Sequence, residues 1–405
     1  MKHFTNILIY ISSSAYTQIT GMVILVLLMQ YLNIEEFSIY SYVTEFVGIF
    51  IFISDAGLAY LLTREISKNP ETIKEIYLTA QFTQYLISIL MFMCILISGA
   101  LLNNEYEIYI LIFGAAVSIL SIFSPINSAW TALNERKLIL LRDLMQGTLK
   151  LLFVILGIYL AFNVKYFLSS GIFIGIAWLF TIVLINNKYK NIYLDFTINK
   201  EETLKYIVMG IPFTLLLLTN VLYNKIDIIM IEKLLSIDDV GYYNAAMKFT
   251  YPIGFISTAV LTYIFPLMVS ANSSNINQNK IFLNSILYLT LIGVIISLFL
   301  YFNIHYLFEL LFNIKYNQSI PLFKIMIWFI PISFALGVVN NRLIANERMK
   351  FIIGLNIIML IVNILLNYIY LPIYGTKSAA VITIICECIV LLISTIFIFN
   401  QKFDK

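Results

Sequence analysis

Charged residues are scarce in this sequence: only 12% of its 405 residues are Asp, Glu, Lys or Arg, and the formal net charge is +3. A soluble domain usually contains about 25% charged and about 45–50% apolar residues, whereas 61% of this chain is apolar. A soluble fold would leave much of that surplus exposed in large patches. The composition therefore excludes an ordinary soluble domain, and so small a net charge gives no indication of nucleic-acid binding.

Cysteine, histidine and long polar segments are scarce as well. The three cysteines, Cys94, Cys386 and Cys388, lie in apolar runs, so neither a disulfide framework nor a zinc-binding spacing is present. The two histidines, His3 and His305, lie outside the helices predicted below, which disfavours a histidine proton relay. No polar joint is long enough to hold a separate catalytic domain.

The chain consists instead of apolar runs, each long enough to cross a bilayer. A transmembrane helix needs about 20 mainly apolar residues, and such runs follow one another with short polar joints between them. The fold class predicted is all-α: a polytopic membrane protein with about 12 transmembrane helices. The predicted spans are 8–31, 38–62, 77–101, 108–131, 144–162, 166–186, 206–231, 242–270, 282–302, 320–342, 352–371 and 378–399.

A longer polar stretch separates the spans into two sets of six. The predicted domains are an N-terminal six-helix bundle at 1–190, a cytoplasmic linker at 191–205 and a C-terminal six-helix bundle at 206–405. Positively charged residues favour the cytoplasmic side of a membrane. With the N-terminus inside, 17 of the 25 Lys and Arg residues are cytoplasmic and four lie on the outer joints. We therefore expect both termini to be cytoplasmic.

The two halves carry a repeat. The segment Leu32–Glu36 (LNIEE) recurs as Leu235–Asp239 (LSIDD), and Asn134–Arg136 (NER) recurs as Asn346–Arg348. Each match falls on the same joint of its half. Repeats of six helices run parallel and are related by an axis along the membrane normal, an arrangement typical of transporters. The repeat predicts two parallel six-helix bundles around a central cavity.

Three further segments carry a resemblance to a known family: Tyr31–Phe37 (YLNIEEF), Ser54–Leu58 (SDAGL) and Val240–Lys248 (VGYYNAAMK). With these segments and its two six-helix halves, the chain resembles Wzx-type O-antigen and polysaccharide flippases. They form a branch of the multidrug/oligosaccharidyl-lipid/polysaccharide exporter superfamily. The resemblance covers essentially the whole chain.

The resemblance implies a transporter and not an enzyme. Its substrate would be an undecaprenyl-diphosphate-linked oligosaccharide, an O-antigen (lipopolysaccharide) or capsule repeat unit. Transport would run from the cytoplasmic to the periplasmic leaflet of a bacterial inner membrane by alternating access. The resemblance also implies coupling to an ion gradient, as in an antiporter, with H⁺ or Na⁺ as the coupling ion and no other cofactor. Membrane lipids, a glycan polymerase and a chain-length regulator are the partners it suggests.

Charged residues within the spans are the candidates for function, because a charge at the bilayer centre is costly and usually faces a cavity or a partner. Lys225, Asp227 and Lys248 form the strongest set. At 1.5 Å per residue both lysines lie about 9 Å below the outer helix ends. We predict that Asp227 pairs with Lys248 and has a role in ion coupling or gating, and that the lysines bind a diphosphate or acidic sugar. The alternative is that the lysines extend to the membrane surface.

The repeat relates Lys248 to Glu45, because both lie at the same place in their halves. The sequence thus leads to the hypothesis that Glu45 and Lys248 face each other across the cavity and pair in one access state. In the alternative, Glu45 is a buried carboxylate that is hydrogen-bonded to Ser41 or Thr44.

Three other charged residues complete the candidate set. Asp55, between small residues, could bind H⁺ or Na⁺, or could cap a local break in its helix. Lys150 and Arg142 could contact substrate in the inner half of the path. The alternatives are that Arg142 pairs with Asp143 at the inner interface and that Lys150 extends to the cytoplasm.

The sequence leaves rival functions open. An exporter of drugs or small cations from the same superfamily would share the architecture. A membrane glycan polymerase or lipid-linked glycosyltransferase would need a constellation of catalytic residues on a larger aqueous loop. A channel would need a selectivity filter, for which no motif is present.

Overall fold

The computed structural model describes residues 2–55, 58–68, 73–102, 105–133, 135–186, 199–273 and 278–400. No β-strand occurs in these ranges, and short 3₁₀ turns lie at Tyr251–Ile253 and Asn313–Tyr316. The helices are α1 (Lys2–Tyr31), α2 (Ile34–Ile49), α3 (Ile51–Asp55), α4 (Leu58–Lys68), α5 (Ile73–Leu102), α6 (Glu107–Ser121), α7 (Ser124–Ala132), α8 (Arg136–Tyr159), α9 (Val164–Leu168), α10 (Ser170–Asn186), α11 (Lys200–Leu234), α12 (Ile237–Thr250), α13 (Gly254–Ser273), α14 (Gln278–Phe312), α15 (Ser319–Met326), α16 (Phe329–Ala345), α17 (Met349–Tyr374) and α18 (Thr376–Asn400).

Each predicted span falls on a helix or on a run of short helices, and the all-α membrane fold is confirmed. Several spans are interrupted: the second comprises α2, α3 and α4, and the eighth comprises α12, a 3₁₀ turn and α13. Among the described residues, six segments are both long and apolar enough to cross a membrane: Lys74–Leu101, Glu107–Ala132, Gln278–Leu311, Ser319–Ala345, Met349–Tyr374 and Thr376–Asn400.

The repeated sequence marks the start of the second helix in each half. The Asn33 side chain accepts a hydrogen bond from the backbone N–H of Glu36 at 2.7 Å. In return, the Glu36 carboxylate accepts one from the backbone N–H of Asn33 at 3.2 Å. At the equivalent position, the Ser236 hydroxyl accepts a hydrogen bond from the Asp239 amide at 3.3 Å. These caps satisfy N–H groups that a helix start leaves unpaired. The repeat therefore corresponds to the same local structure in both halves.

The chain divides into two compact units, Met1–Val221 and Leu222–Lys405. The division falls inside α11, whereas the sequence predicted a linker at 191–205. Residues 191–198 of that linker lie outside the described residues, and 200–205 are helical. Near the start of α11, Glu202 accepts a hydrogen bond from Thr79 at 3.2 Å, a contact within the first unit. One continuous helix thus contributes to both units, because its two ends have different partners.

In the first unit, α5 satisfies backbone carbonyls where neighbouring helices are interrupted. The buried Gln84 side-chain amide donates to the Ser54 carbonyl at 2.8 Å, in the short helix α3 that follows the interruption at Phe50. The buried Gln81 amide donates to the Ile122 carbonyl at 3.1 Å, between α6 and α7. A backbone carbonyl in apolar surroundings needs such a partner. These glutamines make the interrupted helices compatible with a membrane.

We expect Gln84→Met to lower the free energy of unfolding by about 1–3 kcal/mol, because the part-buried Ser54 carbonyl would lose its hydrogen-bond partner. Thermal unfolding of the purified chain in detergent measures the change as a lower Tm. The control is Gln18→Met, at an exposed position on α1, which should leave Tm close to that of the unmodified chain. Equal losses in the two variants would contradict the assigned role of Gln84.

Candidate functional site

A buried carboxylate with neutral hydrogen-bond donors lies inside the second unit. Asp227 on α11 is only 5% exposed. Its Oδ2 accepts hydrogen bonds from the Tyr243 hydroxyl at 3.0 Å and the Thr383 hydroxyl at 2.6 Å. Its Oδ1 accepts one from the Asn367 side-chain amide at 2.9 Å. Helices α11, α12, α17 and α18 each contribute one residue to this arrangement.

More oxygen atoms lie around the same carboxylate. The Asn363 side-chain oxygen accepts a hydrogen bond from Asn367 Nδ2 at 3.0 Å. The Thr383 hydroxyl is also 3.0 Å from the Ala379 carbonyl oxygen. Asn367 is fully buried, and its Oδ1 has no hydrogen-bond partner among the described residues. Asp227, Asn363, Asn367 and Thr383, here called the Asp227 site, thus provide carboxylate, amide and hydroxyl oxygens.

The local sequence explains why these groups meet. Asn363 and Asn367 are four residues apart and therefore lie on the same face of α17. On α18, the buried positions include Ala379, Thr383 and Glu387, which are also spaced by one turn. Both helices are otherwise strongly apolar, so these polar groups must satisfy one another inside the bundle.

The Asp227 site can hold a proton or a small hard cation. Ionisable groups within spanning segments are expensive and mark substrate or ion pathways, and oxygen ligands suit hard cations. The described residues contain no group of three or more His, Cys, Asp or Glu that could hold a metal ion. The donor set of the Asp227 site therefore fits a cation such as Na⁺ better than a transition metal.

The structure gives Asp227 partners that the sequence analysis did not identify. The sequence predicted a pairing of Asp227 with Lys248, and that pairing stays a prediction. Lys248 on α12 and Lys225 on α11 are both half-buried. The signal that could have revealed the actual partners was the pair of asparagines one helical turn apart within an apolar span.

The acidic candidates of the first unit lie on α2 and α3. Glu45 is buried, with 2% of its surface exposed. The Thr44 hydroxyl donates to the Ser41 carbonyl at 3.0 Å, and among the described residues the buried Ser41 hydroxyl has no hydrogen-bond partner. Asp55 is the last residue of α3. Its side chain lies outside the described part of the chain, so its predicted ion-binding or capping role stays a prediction.

The basic candidates of the first unit lie on α8. Arg142 Nη2 is 2.7 Å from Asp143 Oδ1, and Asp143 also accepts a hydrogen bond from Ser13 on α1. The predicted Arg142–Asp143 pair is therefore present. Lys150 is half-buried two turns further along the helix. The substrate-binding roles proposed for Arg142 and Lys150 stay predictions.

An apolar groove lies between α5 and α6 in the first unit. Its volume is about 490 Å³, and its lining includes Ile89, Phe92, Met93 and Ile119. Both flanking helices belong to segments long and apolar enough to cross a membrane. A groove of this size and lining can accommodate a hydrocarbon chain.

Comparison with protein families matches residues 4–272 to the family described as "Polysaccharide biosynthesis protein" and residues 201–369 to the family described as "MatE". Comparison with curated protein sequences finds no match.

Solved structures share the fold at low sequence identity. An inward-facing multidrug resistance MATE family transporter of the MOP superfamily is 15% identical over 94% of this chain and 93% of its own, with a TM-score of 0.74. The lipid II flippase MurJ, in an inward closed conformation, is 13% identical over 97% of this chain and 88% of its own, with a TM-score of 0.77. An outward-facing MATE family transporter is 14% identical over 97% of this chain and 94% of its own, with a TM-score of 0.64.

Proposed function

Because the chain belongs to the polysaccharide biosynthesis protein family, we propose that it is a flippase for a lipid-linked oligosaccharide. It is a multi-pass membrane protein with the fold of transporters of the MOP superfamily, and it is not an enzyme. The observation that carries the proposal is the family match over residues 4–272. The apolar groove between α5 and α6 supports it, because a lipid-linked substrate has a hydrocarbon tail to accommodate.

The proposed substrate is an undecaprenyl-diphosphate-linked O-antigen or capsule repeat unit, moved from the cytoplasmic to the periplasmic leaflet. The half-buried lysines 225 and 248 would attract its diphosphate or acidic sugars, and Lys150 and Arg142 would contact it on the inner side. The proposed location is a bacterial inner membrane with both termini cytoplasmic, supported by the distribution of basic residues. A glycan polymerase and a chain-length regulator are the partners we propose for the next steps.

We propose the Asp227 site as the place where a coupling ion binds. A carboxylate buried among neutral oxygens in a membrane gains free energy when its charge is compensated. In this proposal, Asn363, Asn367 and Thr383 orient the carboxylate and provide the remaining oxygens. Na⁺ and H⁺ are the two candidates, and Glu45 and Asp55 are proposed as further coupling or gating residues.

A drug or cation exporter is the second candidate function. The match of residues 201–369 to the MatE family and the likeness to multidrug resistance MATE structures favour it. The two candidates differ in substrate: a lipid-linked anion in one case and a soluble organic cation in the other.

Deleting the gene in its native host, followed by analysis of surface polysaccharide and lipid-linked intermediates, tests the proposal. We expect loss of surface glycan together with complete undecaprenyl-linked repeat units on the inner leaflet. Single units that reach the outer leaflet unpolymerised would indicate a polymerase instead. A normal surface would contradict the flippase and favour the exporter.

A further inference from the structure

A second groove lies in the second unit, and none of the residues that line it belongs to the Asp227 site. Its volume is about 490 Å³, and its lining includes Tyr301, Lys324, Trp328, Val381 and Ile385. It is formed by α14, the α15–α16 segment and α18. The Tyr301 and Trp328 rings are 6.4 Å apart, so two aromatic side chains stand at one side of an aliphatic surface.

One positively charged side chain, Lys324, lies at one edge of this groove. Lys324 Nζ is 5.5 Å from the centre of the Tyr301 ring and 3.0 Å from Nε2 of His305 on α14. Within the described part of the chain, Lys324 forms no ion pair with a carboxylate. The acidic residue nearest to His305 on the same helix is Glu309, one turn further along. The ammonium group is thus held by an aromatic face and an imidazole, and neither neutralises its charge.

The charged edge lies nearer the helix ends than the aliphatic part. Lys324 is five residues from the start of α15 and His305 seven from the end of α14, or about 8–11 Å at 1.5 Å per residue. Ile385 is nine residues into α18, about 14 Å deep. These ends belong to the same face of the second unit, which is periplasmic in the predicted orientation.

The groove is open along its side. Trp328 is 38% exposed and Ile385 is 46% exposed, and both belong to segments that can cross a membrane. Exposed aliphatic and aromatic side chains at this depth are solvated by lipid chains, and Trp and Tyr favour the interface between chains and headgroups.

We propose that this groove binds one anionic phospholipid. Its phosphate lies against Lys324 and His305, its glycerol region against Tyr301 and Trp328, and one acyl chain runs along Val381 and Ile385. A basic side chain near the membrane surface attracts anionic lipid headgroups.

Tryptophan fluorescence tests the proposal with the full chain in phosphatidylcholine vesicles that contain brominated phosphatidylglycerol or brominated phosphatidylcholine. Bromine quenches nearby tryptophan. Two of the three tryptophans, Trp130 and Trp178, are at most 2% exposed in the first unit, so quenching reports on Trp328. We expect phosphatidylglycerol to quench with about fivefold preference over phosphatidylcholine, the effect of one basic group near an anionic lipid.

Lys324→Gln should remove the preference, and Lys324→Arg should retain it. Lys377→Gln is the matched control, because Lys377 is an exposed lysine at the start of α18 and does not line the groove. Unchanged quenching by brominated phosphatidylcholine checks that each variant is folded. If Lys324→Gln does not reconstitute, His305→Gln, at an exposed side chain, should reduce the preference. Equal quenching by both lipids in the unmodified chain would overturn the proposal, as would equal losses in Lys324→Gln and Lys377→Gln.

Discussion

Asp227→Asn should abolish ion-dependent transport and leave the chain folded. The substitution keeps one oxygen and nearly the same volume, but removes the negative charge that would balance a bound cation. We expect the affinity for the coupling ion to fall at least about 100-fold, since even outer-shell partners of a metal site commonly contribute 10- to 100-fold.

Ion binding to the purified chain is measured as the rise in Tm when the ion is added. A ligand that binds only the folded state stabilises that state. NaCl is compared with choline chloride at constant ionic strength. If Na⁺ raises the Tm of the unmodified chain and not that of Asp227→Asn, the site binds Na⁺. If Na⁺ has no effect and a pH gradient drives transport only when Asp227 is intact, the coupling ion is H⁺.

Glu387→Gln is the matched control for Asp227→Asn. Glu387 is a second buried carboxylate, 9% exposed, one turn after Thr383 on α18, and it does not supply an oxygen to the Asp227 site. We expect this variant to retain ion binding. An equal loss in both variants would show that any buried charge in this bundle matters, and it would refute a specific site at Asp227.

Glu45→Gln and Lys248→Gln should each reduce transport about 30-fold or more, because removing one member of a buried charge pair costs about 2–5 kcal/mol. The physical basis is the hypothesis that these residues, equivalent in the repeat, pair in one access state. The double variant should lose no more than the worse single variant, because removing both charges leaves neither uncompensated. Transport of a fluorescent lipid-linked oligosaccharide across proteoliposomes measures the rates.

The control for this double-mutant cycle is a lysine that does not take part in the proposed Glu45–Lys248 pair. Lys233 is 43% exposed and lies 3.4 Å from Glu232, so Lys233→Gln should change transport little and combine additively with Glu45→Gln. Purely additive losses for Glu45→Gln and Lys248→Gln as well would contradict the coupling.

The positions of the helices followed from local sequence properties. Apolar runs of membrane-spanning length predicted every span, because no backbone polar group can remain unsatisfied in the bilayer core and helices satisfy theirs within the segment. Asn33 and Ser236 begin equivalent helices because capping depends on residues only three positions apart. The interruption between α2 and α3, at Phe50, was missed, since a span prediction averages over it.

The partners of Asp227 depend on tertiary structure. Asn367 and Thr383 are separated from Asp227 by 140 and 156 positions, and no local pattern joins them. The same holds for Lys324 and His305, which belong to different helices.

The sequence by itself determined that this is an all-α, multi-span membrane protein, because hydropathy and helix caps act over one helix or less. Only the tertiary structure decided which polar groups share a site. Neutral Asn, Thr and Tyr side chains cost little to place on an apolar helix, so their number does not reveal their role. They become a site only where packing brings them around a buried carboxylate such as Asp227.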